Sequence, residues 1–246
     1  MKKTIILLAL SLNFIFAITL VPLTETIDSK KKKNLIFKVS NTSAESVAVD
    51  VSVLRVLDTD NNKEQREETK KVSCYPTQFV LSPKESKSIR FKYMGSELPD
   101  IEEVYRVVAK ELDIDVSDKE EKATIDGIKA QIRMRFSYEG LLLVKQPHAK
   151  AKVSIESFKE LENSGTERGI SLVITNTGNA SVVPHDGEYN FLVTVKGKEY
   201  LLKNEDMRKA EFRRVLAGKS NTFYLKHIVN LPSGKIESIR LEKIKK

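Results

Sequence analysis

The sequence contains no tryptophan, one cysteine and three histidines among its 246 residues. A single cysteine, Cys74, excludes an internal disulfide, so the stability of the protein has to come from ordinary hydrophobic cores. Cys74 lies between Val72 and Tyr75 with no histidine nearby. This setting favours a packed small side chain over a reactive thiol.

Sequence motifs for catalysis or metal binding are also missing. The histidines stand far apart, at His148, His185 and His227, and none lies beside a nucleophile pattern. The chain has only 10 glycines and no glycine-rich phosphate loop. The acidic run Asp113–Glu121 lacks the regular spacing of a calcium loop, and His185 with its acidic neighbours is better read as a polar loop. We predict a protein that is not an enzyme and binds no metal or cofactor.

The N-terminus has the pattern of a secretory signal. Lys2 and Lys3 precede the apolar run Ile5–Phe16, and Ala17 stands at a plausible cleavage point. The run is shorter than the roughly 20 residues that span a bilayer, although a retained N-terminal anchor is the alternative. We therefore predict a signal peptide over residues 1–17, export, and no membrane insertion after cleavage.

The charge balance argues against nucleic acid as a partner. The formal net charge is +8, and it falls to +6 when Lys2 and Lys3 are removed with the signal. This modest excess is spread among acidic residues, whereas nucleic-acid binding requires basic residues clustered with aromatics. A basic groove for an anionic group fits the composition better.

Short segments of alternating hydrophobicity fill the rest of the chain. Most end at turn residues, which is typical of an all-β immunoglobulin-like sandwich. The polar segment Lys145–Lys150 divides the chain into predicted domains at residues 18–146 and 147–246, and similar turns at Asn41 and Asn176 suggest a weakly shared plan. Only Asn204–Arg213 could form a short helix, and Asp58–Lys71 is expected to be a solvated loop or hairpin tip.

The segment Ile125–Val144 has the longest alternation. Beginning at Ile128, apolar side chains alternate with basic or polar ones, so a strand here would have one apolar and one basic face. Eleven residues at about 3.3 Å each would extend roughly 36 Å, twice the usual strand length. Such a strand either passes between two sheets or offers its apolar row to another molecule.

Three short motifs, in order, resemble those of a known family. They are the turn at Pro83, the strand Lys87-Ser88-Ile89-Arg90 and the strand Glu103-Val104-Tyr105-Arg106, followed by the long alternating segment. In this order they resemble the N-terminal domain of the periplasmic pilus-assembly chaperones of the chaperone–usher pathway. The resemblance is closest to the alternate-class fimbrial chaperones, which share the form VYRV and an N-terminal proline such as Pro22.

This resemblance implies two immunoglobulin-like sandwiches in a boomerang arrangement, in the periplasm. Pilin subunits would bind along the last strand of the first domain and pass to an outer-membrane usher. A pilin lacks its final strand, and the chaperone would fill the open groove by strand addition. The apolar donor residues would be Ile128, Ala130, Ile132 and Met134.

The family also holds the carboxylate at the C-terminus of the subunit with two basic residues. Matching the long strand assigns this role to Arg135, with Arg133 as the rival, and Arg106 is the substitute for a second anchor that ITLVPLTETI lacks. A guanidinium suits a carboxylate because it can bind both oxygens. For Arg90 the preferred role is a structural ion pair with Glu103.

A different class of protein stays open as the alternative. An exported two-domain adhesin or structural pilus component would share the export signal and the sandwiches. However, a pilus subunit offers an N-terminal extension and an incomplete sandwich, whereas here the alternating strand is internal. A free apolar strand would also favour capping by a second copy of the chain, so a self-capping homodimer is a further expectation.

Overall fold

The computed structural model describes residues 18–29, 32–60, 63–113, 135–161, 168–185, 188–202, 212–228 and 231–244. These residues form sixteen strands, and none of them lies in a helix. The all-β prediction is therefore confirmed. The segment 204–213 lies almost entirely outside the described residues, so the short helix considered there stays a prediction.

Ten strands come from the first half of the chain. They are β1 Ile18–Val21, β2 Thr24–Ile27, β3 Asn34–Asn41, β4 Val47–Asp58, β5 Gln65–Glu68, β6 Val72–Tyr75, β7 Gln78–Leu81, β8 Ser86–Tyr93, β9 Glu103–Glu111 and β10 Ser137–Val144. Six follow in the second half: β11 Val153–Leu161, β12 Arg168–Asn176, β13 Tyr189–Val195, β14 Lys198–Leu201, β15 Ser220–Ile228 and β16 Ile236–Lys243.

The first ten strands form two sheets. One has the order β1-β3-β8-β6, and the other has the order β2-β10-β9-β4-β5, with β7 paired to β4. Pro22 separates β1 from β2, so the first segment of the chain contributes an edge strand to each sheet. An edge position suits a proline because it cannot donate a backbone hydrogen bond to a neighbouring strand. Side chains that alternate into the space between the sheets make one core, which includes Phe37, Phe91 and Tyr105.

The last six strands form two smaller sheets, β11-β12-β15 and β14-β13-β16. Their inward side chains make a second core, which includes Leu172, Val193 and Phe223. A tight turn at Lys196 and Gly197 joins β13 to β14 in a hairpin, and both residues have the positive φ that such a turn requires. The chain crosses from the first pair of sheets to the second between Val144 and Val153.

Strand β3 ends at a buried asparagine, Asn41. We call the turn that follows, together with the hydrogen bonds of this side chain, an asparagine corner. Asn41 is 2% exposed, and its side-chain amide donates to the carbonyls of Glu45 at 2.7 Å and Leu81 at 3.2 Å. Its side-chain oxygen accepts the N–H of Ser43 at 2.9 Å. The side chain thus takes the place of backbone partners where the strand ends and the chain turns.

The second sandwich repeats this corner with Asn176. This side chain is 0% exposed and donates to the carbonyls of Ala180 at 2.8 Å and Val215 at 3.2 Å. Its oxygen accepts the N–H groups of Gly178 and Lys152, both at 3.0 Å. In both corners the amide binds the carbonyl four residues on and the oxygen binds the N–H two residues on. The similarity predicted for the two turns is therefore confirmed in atomic detail.

The two halves of the chain touch through a small apolar cluster. It consists of four side chains on the outer face of the larger first sheet and one from the second half: Val56, Val104, Leu141, Leu143 and Leu216. The outer face of this sheet is therefore covered at the end nearest the second sandwich.

The loop after β4 makes a second contact between the halves. Thr59 is 3% exposed; its hydroxyl donates to the carbonyl of Arg214 at 2.5 Å and accepts from the side chain of Asn221 at 2.9 Å. The expectation of a solvated segment over Asp58–Lys71 is thus wrong at its N-terminal end. Thr59 is buried there, and its hydroxyl is a hydrogen-bond partner of the buried Asn221 side chain. The strand β5 confirms the hairpin within this segment.

Replacing Asn176 by alanine tests the role of the corner. Two carbonyls and two N–H groups would lose their partner in a buried place, so we expect the free energy of unfolding to fall by about 2–3 kcal/mol. Urea denaturation of Asn176→Ala and of the exposed control Asn34→Ala measures this difference. Equal midpoints for the two variants would show that the corner contributes nothing.

Candidate functional site

Strand β10 is covered on one edge along only half its length. It pairs with β9 over all of Ser137–Val144, but β2 pairs only with Leu141–Val144, in parallel. The Leu141 N–H donates to the carbonyl of Leu23 at 2.8 Å, where this cover begins. None of the strands that the structure describes pairs with the outer edge of Ser137–Gly140. Within the described part of the chain the sheet ends here, and the backbone edge of a sheet is a place where another chain can pair.

The even-numbered residues of β10 face the core between the sheets. Leu142 and Val144 belong to this core, and Tyr138 packs against it. Gly140 lies in the same row, where a Cβ would come within 3.1 Å of the Phe37 ring. The strand therefore runs so close to the core that only a glycine fits here without displacement.

The predicted donor residues share this even numbering. Ile128, Ala130, Ile132 and Met134 lie outside the described residues, as does the candidate anchor Arg133. Their roles stay predictions. In the described part of the strand, Tyr138 packs against the core. A row of apolar side chains that continued towards the N-terminus would begin at this residue.

Arg135 stands at the start of the described segment. Its guanidinium is half exposed and forms an ion pair with Asp113, which follows the end of β9. The pair lies on the surface, where such contacts contribute little to stability. A carboxylate of another molecule could exchange with Asp113 at low cost.

Arg106 lies in a network of two arginines and two glutamates on the outer face of the larger first sheet. Its Nε lies 2.9 Å and 3.0 Å from the two carboxylate oxygens of Glu64. Arg66 donates to both oxygens of Glu139 at 2.7 Å and, through Nε, to Glu64 at 2.8 Å. The charges balance, so a carboxylate that binds Arg106 would have to compete with Glu64.

Glu64 stays charged in this network. Burial raises the pKa of its carboxyl, but hydrogen bonds and charges from Arg106 and Arg66 outweigh burial and hold the pKa below its usual value. The pKa of Arg66 is raised, chiefly by its hydrogen bonds to Glu139. The Glu64 carboxylate therefore stays ionised near neutral pH and keeps its ion pair with Arg106.

Glu103 has different partners from the one predicted. Its carboxylate is 7% exposed, forms an ion pair with Lys71, lies 3.5 Å from Arg55, and accepts the Tyr105 hydroxyl at 2.7 Å. The predicted pair with Arg90 is wrong, because Arg90 is exposed on β8 in the opposite sheet. The structural role assigned to Glu103 is kept, with Lys71 and Arg55 as the cations.

The neighbouring Glu102 connects the two sandwiches, which the sequence did not reveal. Its carboxylate accepts from the N–H and the hydroxyl of Ser181, and one oxygen lies 3.6 Å from the Lys145 ammonium. The backbone N–H of Glu102 donates to the carbonyl of Asn179 at 2.9 Å. In the sequence, only the two consecutive glutamates could have indicated this role for Glu102. Side chains alternate along a strand, so just one of the two glutamates can point into the first sandwich.

A cavity of about 340 Å³ lies beside Glu102 between the two halves. Its lining carries four cationic side chains and one acidic one, from Lys145, Lys150, Arg214, Lys243 and Glu188. This is the basic groove that the charge balance predicted in general terms.

Other kinds of site find no support in the part of the chain that the structure describes. There, no group of three histidine, cysteine or acidic side chains could hold a metal ion. No helix that could cross a membrane occurs among the same residues. Cys74 is half-buried with its thiol 3.6 Å from the carbonyl of Val51, and burial raises the pKa of the thiol, so little thiolate forms at neutral pH.

The described residues form a protein of two sandwiches, and in the first sandwich β10 pairs on both edges over only half its length. Residues 20–139 match the family described as pili and flagellar-assembly chaperone, PapD N-terminal domain. The first sandwich of the chain therefore belongs to this family of pilus-assembly chaperones, which confirms the resemblance seen in the sequence. A search of curated protein sequences found no significant match.

Solved structures share the fold over almost the whole chain. A chaperone of class 5 fimbriae, CfaA, matches with a TM-score of 0.52 at 15% identity, over 92% of this chain and 98% of that one. The Escherichia coli chaperone DraB matches with 0.51 at 16% identity, over 94% and 96%. A chain from the Salmonella enterica SafA pilin complex with the SafB chaperone matches with 0.51 at 15% identity, over 93% and 97%.

The stability of the first domain should depend on pH through Glu103. Burial raises the pKa of this carboxyl, but Lys71 and Tyr105 outweigh burial and lower it below the ordinary value of 4.5. Its contribution is therefore fully present above pH 4.5 and is lost as pH falls through the lower pKa of the folded state. In thermal unfolding from pH 6 to about 3, Glu103→Gln should show a shallower acid loss than the unchanged protein. Parallel curves for the two proteins would contradict this assignment.

Proposed function

We propose that the protein is a periplasmic chaperone that lends the segment before β10 to unfinished pilin subunits and delivers them to an outer-membrane usher. The observation that carries the proposal is that β2 pairs with β10 over Leu141–Val144, whereas none of the described strands pairs with the same edge of Ser137–Gly140. A pilin strand paired there would continue the sheet on the side that β2 leaves free. The signal peptide proposed over residues 1–17 would export the protein to the periplasm. We also propose that the mature chain divides into two domains, at residues 18–146 and 147–246.

Side-chain burial supplies the affinity in this proposal. If alternation continues from Tyr138 towards the N-terminus, Met134, Ile132, Ala130 and Ile128 fall in the row that faces the core. A pilin groove would bury them when the subunit pairs with the open edge. At about 25 cal/mol per Å² of apolar surface, four such side chains contribute several kcal/mol, less the cost of ordering the segment.

The chaperone-and-pilin complex among the matching structures supports a pilin as the partner. This complex contains the SafA pilin and the SafB chaperone, and its matching chain has the fold of this protein. We infer that this protein also binds pilin subunits. A self-capping homodimer of the free protein is part of the proposal, because the same apolar row would otherwise face water.

Charge substitutions in the predicted donor row test the proposal directly. Ile132→Asp/Met134→Asp should lower the amount of a co-expressed pilin that co-purifies by roughly tenfold or more, because buried unpaired carboxylates are costly. The matched control is Lys129→Asp/Gln131→Asp, which places the same acids on the other face and should retain most binding. Wild-type pilin yields from the Ile132 and Met134 variant, with an unchanged melting temperature, would disprove strand donation.

A second experiment identifies the residue that anchors the carboxylate. A pilin C-terminal peptide with a free carboxylate should bind about 10- to 100-fold more weakly to the variant of the true anchor among Arg106→Ala, Arg133→Ala and Arg135→Ala. The amidated peptide should not distinguish these variants.

Glu64→Gln separates Arg106 from the other two candidates. If Arg106 is the anchor, this variant should bind the free-carboxylate peptide more tightly, because the competing internal carboxylate is gone. The control Glu67→Gln removes one of the two carboxylates beside Arg55 instead and should leave the peptide affinity unchanged. No gain for Glu64→Gln would exclude Arg106.

A further inference from the structure

The outer face of the sheet β1-β3-β8-β6 is a surface for which the proposed strand donation has no use. Its exposed side chains are of two kinds, apolar and cationic, separated by small polar residues. We call it the basic face and define it by Val21, Ile36, Lys38, Tyr75, Arg90, Lys92 and Met94.

The charge on this face has one sign. The four strands contain the basic residues Lys38, Lys87, Arg90 and Lys92 and no aspartate or glutamate, although the whole chain has 34 acidic residues. Every strand of the opposite sheet except β7 carries at least one acid. Among the described residues, no carboxylate lies within ion-pair distance of Lys38, Arg90 or Lys92.

The apolar residues stand beside these cations in the register of the sheet. Ile36, Arg90 and Tyr75 form one row across three strands. Ile36 is 59% exposed and Tyr75 is 79% exposed. Lys38 stands opposite Val21 in the same way, whereas Lys92 stands between Asn34 and Ser73. Large exposed apolar side chains that share a surface patch commonly mark an interaction site.

We propose that the basic face binds an acidic, partly apolar segment of another protein. Charge complementarity selects the partner, since three cations without a carboxylate would each gain one. Arg90 and Lys92 occupy alternate positions of β8, about 6.6–6.8 Å apart, which is also the spacing of alternate side chains in an extended peptide. Ile36 and Tyr75 would cover the apolar residues between the acids. The face lies on the other side of the sandwich from the network of Arg106 and Glu64, so both surfaces can be occupied together.

A designed peptide tests this surface without knowledge of the natural partner. The probe is an extended peptide of about 12 residues that alternates glutamate with valine and phenylalanine, and its control carries lysine in place of glutamate. The full mature chain should bind the acidic probe, with signals of β3, β6 and β8 shifting in amide NMR spectra. Binding should weaken markedly at about 0.5 M salt.

Matched variants separate the basic face from general charge attraction. Arg90→Glu/Lys92→Glu should weaken binding by roughly tenfold or more, and Tyr75→Ser by a few-fold. Lys198→Glu/Lys226→Glu changes the net charge equally in the second sandwich and should leave the affinity within about twofold. All four side chains are exposed, and an unchanged melting temperature verifies each fold.

Three results would overturn the proposal. They are equal losses in the two charge variants, amide shifts outside the basic face, and tighter binding to phosphatidylglycerol vesicles than to the acidic probe. The last result would assign the face to a lipid surface. A pilin that still co-purifies with Arg90→Glu/Lys92→Glu would show that the basic face acts independently of strand donation.

Discussion

The structure depends on one constraint, which is that the described strands flank β10 on both edges over only its last four residues. The parallel strand β2 covers Leu141–Val144 and stops where Pro22 separates it from β1. Because β1 belongs to the other sheet, the strand that pairs with the outer edge of β10 does not continue beyond β2. The division of the first segment between two sheets is therefore the reason that this segment pairs with Leu141–Val144 but not with Ser137–Gly140.

Charges are distributed according to what each sheet face contacts. On the larger first sheet, arginines and glutamates pair with one another, and Glu102, Thr59 and Leu216 join this sheet to the second sandwich. The smaller β1-β3-β8-β6 sheet lacks acids and makes no such contact among the described residues. Internal pairing fixes the first face, whereas the second retains unpaired cations that an acidic partner can use.

Alternation predicted most strands because one side of every sheet faces a core, and period two follows directly from burial. It could not predict contacts between strands that are distant in the sequence. Arg90 and Glu103 each fit a short family motif, yet they lie in opposite sheets. The cations beside Glu103 are Arg55 on β4 and Lys71 in the connection between β5 and β6. Thr59 reads as a loop residue, and only the packing of the second sandwich shows that its hydroxyl is buried.

The restraint on β10 decreases from its C-terminal to its N-terminal end. Leu141 and Leu143 pack against the cluster that contains Leu216, while Leu142 lies in the core, so this half is held on both faces and both edges. In the other half, Glu139 binds Arg66 and Tyr138 packs against the core, but none of the described strands pairs with the outer edge. The covered half thus fixes the direction and the facing of the strand before the open half begins. A segment that continues this strand would be aimed by the sandwich without being covered by it, which is the property that strand donation requires.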